Sequence, residues 1–485
     1  MRKLAAALGI AVLFLAALAL SALRLPSRQV DVAPAPARAV DADAVARRLA
    51  ESIRFETISF SDDPAQLQSD AFAALQAWME RAYPLLHATL AKERVGPSLL
   101  YTWRGSDASL EPILLAAHQD VVPAENRELW TRAPFEGRIE EGFVWGRGAI
   151  DDKGSMIAIC EAVEALLREG FAPRRTLLLA FGHDEEVGGG RGAKAIAALL
   201  ASRGTRLLFA LDEGAAVVSG MLPGFARPVA LVGIAEKGSA TLEVVAKAEG
   251  GHSSTPPRES ASGILARAIA RLEASPLPGG VVGPTRAFFE FLAPELPLWA
   301  RVPIAHLWLF ERPMDWALSR SPGPNAMLRT TTAVTMLSGS PKDNVLPVEA
   351  IAGVNFRLLP GDSAESVRAQ VERIVDDPRI ALRFKYPPRE ASPVSPIDGP
   401  AFALVQRTIG ETLGGDAVVA PFLTVGGTDC RHYEAVTDGL YRFMPFRFVA
   451  ADLKLPHGID ERVAVASLAD AVRFYARLVE NAAAR

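Results

Sequence analysis

The sequence predicts an α/β protein: a mostly parallel sheet that carries the functional site, with a smaller α+β domain inserted between its two parts. Three observations predict it. The chain has 485 residues, 49% of them apolar, which is too long for one ordinary core and ample for two or three. Between residues 112 and 211 short apolar runs alternate with longer helical patterns, the signature of βαβ units and of parallel pairing. Near Gly233 the pattern changes to alternating strands with two helices, then returns to helices near the C-terminus.

In chain order, residues 41–90 are mostly helical, with apolar residues at i, i+3, i+4 spacing. Residues 112–117 are a short apolar run, 156–168 an amphipathic helix, 176–181 a strand, 192–202 a helix and 207–211 a strand. Ligands in such sheets bind beyond the carboxyl ends of the strands. In the inserted part, 240–246, 348–358 and 380–386 are strands, and 261–272 and 363–375 helices. Helices near 402–413 and over 461–482 close the chain. The domain boundaries expected are 41–235 and 391–485 for the two parts of the catalytic domain and 236–390 for the insertion, a lid or dimerisation domain.

The N-terminus stands apart. Arg2 and Lys3 precede an apolar run from residue 4 to 23, with no charge until Arg24. Residues 1–24 therefore form a signal peptide or a membrane anchor, since about 20 apolar residues span a bilayer. The small residues at 19–21 would permit cleavage, and the two cations keep the short end in the cytoplasm, so the body lies outside the cytoplasmic membrane, anchored or secreted. The Pro/Ala-rich residues within 25–40 form a linker. A net charge of -4 argues against nucleic acid, whose phosphates need clustered Lys and Arg. Cys160 and Cys430 cannot make a disulfide framework.

Several acidic or imidazole clusters follow predicted strands or turns. His118 and Asp120, two apart after a strand, point the same way, so one can bind a metal while the other orients the ring. By itself His-x-Asp is more often structural. Asp151 and Asp152 cap a helix or, through two carboxylate oxygens, bridge ions. Asp184, Glu185 and Glu186 repel one another at a strand end unless cations neutralise them. Asp212 and Glu213 follow another strand, and His457 sits in a turn ahead of the last helix. The glycines at 188–190 look like a phosphate cradle, but the acids before them and the missing G-x-G-x-x-G spacing exclude a nucleotide. Histidine and carboxylate donors without cysteine suit zinc, and also manganese or cobalt. A hydrolytic pair of ions needs in addition a free carboxylate to take a proton from water, and Glu185 beside Glu186 offers one of each.

Taken together and in order, these clusters resemble the M20 family of metallopeptidases. The matching motifs are His118-x-Asp120, the stretch from Gly146 to Gly154, Asp184-Glu185-Glu186, Leu211-Asp212-Glu213-Gly214, Gly251-His252-Ser253-Ser254, Asn344-Val345-Leu346-Pro347, Gly426-Gly427-Thr428-Asp429 and His457-Gly458. The Leu-Asp-Glu-Gly motif is similar to the carboxypeptidase S and N-fatty-acyl-amino-acid synthase/hydrolase branch. The resemblance implies a di-metal catalytic domain holding two divalent ions, zinc foremost. Asp151 would bridge them, with His118 and Asp212 completing one site and Glu186 and His457 the other. Many members of the family carry Glu as the ligand at the position of Asp212, which leaves Glu213 as the alternative. Asp120 would steady His118, and Glu185 would be general base and then acid. His252 would stabilise the oxyanion, often across a homodimer. Asn344 and Arg357 would hold the substrate, with Gly427 and Thr428 lining the pocket.

The expected substrate is a small peptide or N-acyl amino acid, cleaved at an amide next to a free carboxylate, because an Arg fork suits an anion. Alternatives are an aminopeptidase or dipeptidase of the same family, or a silent binding protein on the same scaffold. Residues 275–335 depart from a minimal plan and carry Phe288, Phe291, Trp299, Trp308 and Trp316. These aromatics pack the insertion's own core, line an apolar groove for an acyl chain, or touch the membrane surface near the N-terminal anchor.

Overall fold

The computed structural model describes residues 2–220, 224–415 and 417–483. Its main sheet has ten strands. Ala91–Val95, Ser98–Trp103, Leu177–Gly182, Ile113–His118, Phe209–Asp212, Leu440–Arg442, Val229–Glu236, Val217–Ser219 and Arg447–Val449 follow one another across it, and Val418–Thr424 pairs with Val229–Glu236. The centre is parallel: Ile113–His118 runs parallel to both Leu177–Gly182 and Phe209–Asp212, which runs parallel to Leu440–Arg442. Antiparallel strands flank it.

Every residue of Ile113–His118 and of Leu177–Gly182 is buried, as expected for strands covered on both faces. Side-chain alternation sorts them into two cores. Ile113, Leu115, Ala117, Leu177, Leu179 and Phe181 join the large core under helices Lys153–Arg168 and Val465–Ala483. Leu114, Ala116, Leu178 and Ala180 face Ala193–Ser202 and the 429–435 turn on the other side. Lys153–Arg168 differs from the amphipathic helix expected for 156–168. Only Ala165, Leu167 and Arg168 escape full burial, because Ala42–Ile53, Pro84–Thr89 and Val465–Ala483 cover it as well as the sheet.

The inserted domain has its own four-stranded antiparallel sheet, in the order Thr331–Ser338, Glu349–Leu358, Gly238–Lys247, Ile380–Phe384. Helices Ala261–Ala274 and Ala364–Val375 pack on it to make a separate core. Between its strands the chain makes a helical excursion. Helix Gly283–Leu292 leaves the small core and buries Phe288 and Phe291 in the large one, edge-on to Phe422 and Phe402. Those two phenylalanines are therefore core residues of the main domain, neither the insertion's own core nor a groove. Leu298–Ala305 and Leu307–Leu318 follow, with no buried residue in either.

The apolar N-terminal run is a single helix, Arg2–Leu23, long and apolar enough to cross a membrane. At about 1.5 Å per residue it is about 33 Å long, matching a hydrocarbon core of about 30 Å. The segment after it lies along the body. Gln29 pairs with the backbone of Val419 through both its amide oxygen and its nitrogen, the Ala35 N–H donates to the Glu411 carbonyl, and Arg38 bonds Glu169 and Glu480.

Candidate metal centre

Strand register gathers the site. His118 stands opposite Gly182, and Leu115 opposite both Leu179 and Leu211. The chains leaving these three strands at their carboxyl ends therefore emerge side by side, carrying Asp120, Asp184 to Glu186, and Glu213. Asp151 and Asp152 come from the opposite direction, at the N-terminus of Lys153–Arg168, where free N–H groups favour negative charge. Strand Arg462–Ala464 pairs with Phe143–Trp145 and so brings the His457 turn against the 146–152 segment.

Asp151 lies at the middle. Its Oδ1 is 2.9 Å from His118 Nε2, and its Oδ2 is 3.0 Å from His457 Nε2. Glu213 Oε1 is 3.5 Å from His118 Nε2, and Glu186 Oε2 is 3.1 Å from His457 Nε2. Two donor groups result, His118 with Asp151 and Glu213, and Asp151 with Glu186 and His457, each with its ligand atoms within 4.8 Å of one another. They share only Asp151, one oxygen to each.

A second tier holds these groups. The ring of His118 turns Nδ1 to the Asp120 carbonyl at 2.9 Å, leaving Nε2 for the site. The Asp120 carboxylate is fully buried and accepts from the Glu185 and Glu186 N–H groups, both at 3.2 Å, so one residue fixes the imidazole through its carbonyl and the two-glutamate turn through its side chain. Glu461 accepts from Arg147 at 2.7 Å, and from the Ile150 and Asp151 N–H groups at 2.8 and 3.2 Å. Arg147 also donates to the carbonyl of His457 at 3.2 Å, a residue whose φ of 59° is left-handed. Lys153 is no ligand. Its ammonium donates to the carbonyls of Ser52 and Phe55, and burial lowers its pKa to about 7.

The electrostatics call for cations. Burial, then the charges of Glu213, Asp429 and Glu186, push the Glu185 carboxyl well above its ordinary value. Burial and Asp151 raise Glu186 to about 7. Bonds to Asp151 and Glu186 raise His457 to about 10. Burial works against a charged His118, yet Asp120, Asp151 and Glu213 raise it well above its usual range. Imidazoles drawn to the charged form by crowded acids, of which Glu185 and Glu186 are pushed up while Asp151 and Asp120 are lowered, mark a place where positive charge is wanted. Divalent ions fit it, since they displace such protons. Nitrogen and carboxylate donors without sulfur suit zinc.

Asp212 is buried but outside both groups. It shares the parity of Ala210, whose side chain lies in the second core, and its charge bears on Asp429. Its Oδ2 meets no donor among the described residues, while Glu213, one residue on, turns to His118.

Thr428 is committed to structure, its N–H and hydroxyl donating to Glu236 at 3.1 and 2.7 Å. Beside it, a Cβ on Gly427 would fall 2.6 Å from Arg389 and 2.7 Å from Arg431, so a larger residue there would displace the two guanidinium groups that crowd that spot. Glu236 is the acid they share with buried Arg442, at 3.6 Å for Arg389, 4.0 Å for Arg431 and 2.7 Å for Arg442. Burial, then the charge of Arg431, depress the Arg389 pKa to about 10, and Arg357 and Glu185 also bear on it. Arg357 itself is exposed, beside Ser239 in the small sheet. His252 and Asn344 share a two-stranded ribbon, Gly251–His252 with Val345–Leu346, in which Ser253 N–H donates to the Asn344 carbonyl. The His252 ring is exposed and meets Ser254, and among the described residues no bond joins it to the carboxylates around Asp151.

Sequence reasoning passed over Arg389, Arg431 and Glu461. No motif marks them, because each acts through a contact between distant segments. The one signal in the sequence was Arg431 two residues beyond Asp429.

Residues 114–481 match the family model of peptidase family M20/M25/M40. The chain is 41% identical to the probable carboxypeptidase S-like 2 of Dictyostelium discoideum, over 90% of this chain and 85% of that one. It is 38% identical to the N-fatty-acyl-amino acid synthase/hydrolase PM20D1 of Mus musculus, over 90% and 88%. Its fold is that of an M20 family metallo-carboxypeptidase from Sulfolobus solfataricus, with a TM-score of 0.64 at 18% identity, over 91% of this chain and 99% of the other.

The Glu461 pair can be tested directly. Glu461→Gln leaves Arg147 buried without a counter-charge and should destabilise the protein by about 3–5 kcal/mol. Arg147→Met with Glu461→Gln, which removes the stranded charge and keeps an acceptor for the Ile150 and Asp151 N–H groups, should recover most of that loss. Urea denaturation of both variants checks it, and a double variant no more stable than the single one refutes the account.

Proposed function

The chain belongs to peptidase family M20/M25/M40, a family of metal-dependent hydrolases, and we propose that it cleaves an amide bond next to a free carboxylate, as a carboxypeptidase or N-acyl-amino-acid amidohydrolase. One juxtaposition carries this reading: a partly buried carboxylate–imidazole centre lies beside two guanidinium groups that share a single acid already bonded to a third. The first can hold cations for hydrolysis, and the second can hold an anionic end of the substrate. The names of the two relatives, a carboxypeptidase and an N-acyl-amino-acid hydrolase, suit the same reading.

Two divalent ions, zinc by the donor chemistry, would be held by His118, Asp151 and Glu213 on one side and by Asp151, Glu186 and His457 on the other. Glu213 takes the place expected for Asp212, because its oxygen is the one that reaches His118. Bound there, the ions supply an activated water and a polarised carbonyl. Glu185, held by Asp120 through its backbone and bonded to no ligand, accepts the water proton and returns it to the leaving nitrogen. Asn344, Arg357, Arg389 and Arg431 orient the substrate carboxylate, and Gly427 keeps the approach open. His252 serves the site of a second copy in a homodimer, donating to the developing oxyanion. The helix Arg2–Leu23 is a retained anchor that keeps the body extracytoplasmic; burial of its Leu18 and Ala22 against the body supports retention over cleavage.

Three measurements test these roles. Metal analysis and turnover of Glu185→Gln, Glu213→Gln and Asp212→Asn should separate base from ligand. The first should keep its metal and lose about 10²–10⁴-fold in kcat, the second should lose metal, and the third should keep it. Metal loss from Asp212→Asn alone would reverse the ligand assignment. Arg389→Met should raise KM by about tenfold or more for an N-acyl amino acid, roughly the 1.5–3 kcal/mol of a hydrogen bond to a charged group. It should leave the corresponding amide, which lacks the carboxylate, unaffected. Finally, mixing inactive Glu185→Gln with inactive His252→Ala should restore activity if the histidine acts across the dimer; a mixture as silent as its parts refutes that.

A further inference from the structure

The helices Leu298–Ala305 and Leu307–Leu318 are apolar, yet neither has a buried residue. Trp299, Trp308 and Trp316 are 67%, 72% and 62% exposed, with Leu298 and Leu309 also exposed. The other four tryptophans, Trp78, Trp103, Trp130 and Trp145, are all 9% exposed or less. An apolar surface of this kind, in a chain otherwise able to bury its tryptophans, marks contact with something apolar.

Its position says what. The only buried residues of the anchor helix are Leu18 and Ala22, one turn apart near its C-terminal end, where Leu298–Ala305 packs. At the junction of the two exposed helices, His306 Nε2 lies 2.9 Å from Ser21 Oγ and 3.0 Å from the Leu18 carbonyl. Just beyond the anchor, the Ser27 hydroxyl donates to Glu295 at 2.6 Å, and Glu295 also bonds Arg227 on the body. The anchor is thus fixed to the excursion on both sides of its exit point. Ser21 is within a turn of that exit, so the helices joined to it stand at the depth of the headgroups when Arg2–Leu23 spans. Tryptophan favours that depth, and short apolar helices lie there in the plane of the membrane.

We propose that Leu298–Ala305 and Leu307–Leu318 form an in-plane membrane-contact surface beside the anchor, with Trp299, Trp308 and Trp316 seated in the headgroup–acyl boundary of the lipid. The proposal rests on the anchor reading of Arg2–Leu23 and is independent of the hydrolytic reading. The surface would hold the body in one orientation over the bilayer.

The distribution of tryptophans provides the experiment. The full-length protein is reconstituted into phosphatidylcholine vesicles with or without 6,7-dibrominated acyl chains, and intrinsic fluorescence is compared. Resistance to alkaline carbonate extraction, measured on the same samples, reports the anchor alone. The expected result is retention in the membrane with emission lowered by up to about two fifths, the share of three tryptophans in seven. Bromines deeper in the chain, at positions 11 and 12, should quench less. Replacing Trp299, Trp308 and Trp316 by Phe should abolish the quenching and leave hydrolysis of a short water-soluble substrate unchanged. Equal emission in brominated and plain vesicles, with the protein still resistant to carbonate, overturns the surface while the anchor stands. Extraction by carbonate overturns both.

Discussion

The carboxylate of Asp151 is drawn in two directions, one oxygen to His118 and the other to His457, and a large part of the main domain serves to keep it there. Glu461 accepts from its backbone N–H and from Arg147, which in turn holds the carbonyl of His457. A buried ion pair of this sort is weak evidence for stability, because desolvation offsets most of its attraction. Its contribution is positional. One pair sets Asp151 on one side and His457 on the other, although 306 residues separate them in sequence. Asp120 does the equivalent for His118 and the Glu185–Glu186 turn.

Charge is segregated across the site. Acids crowd around Asp151, and guanidinium groups crowd around Gly427, with Glu236 as the acid shared among Arg389, Arg431 and Arg442. In a partly desolvated pocket each cluster is costly until something of opposite sign arrives. In the proposed reading, cations answer the first and an anionic substrate end the second. A substrate with a carboxylate beside its scissile amide satisfies both at once, in one orientation, which is a physical reason for preferring it to one with a free amine.

The helical excursion between residues 283 and 328 shows how little composition says about environment. Gly283–Leu292 and Leu307–Leu318 are both rich in aromatics. The first buries Phe288 and Phe291 among Phe402 and Phe422, while the second buries nothing and follows Leu298–Ala305, which packs on the apolar N-terminal helix. The difference lies in what the rest of the chain brings to each.

The α/β architecture, the apolar N-terminal helix, the strands ending near His118, Gly182 and Asp212 and three of the four strands of the small sheet were legible in the sequence. Periodicity and apolar runs report which faces must leave water, and that is a local property. The family resemblance was legible for the same reason, since its motifs are short and contiguous. Which of Asp212 and Glu213 turns toward His118 was not, because strand parity and the position of His118 set it and both need the assembled sheet. Arg389, Arg431 and Glu461 were invisible because each acquires its role from a partner far away in the chain. The sequence by itself determined which residue types could form a hydrolytic centre. Only the tertiary structure decided which oxygen faces which nitrogen, because those contacts arise between separate strands and turns brought together by burial of the core they share.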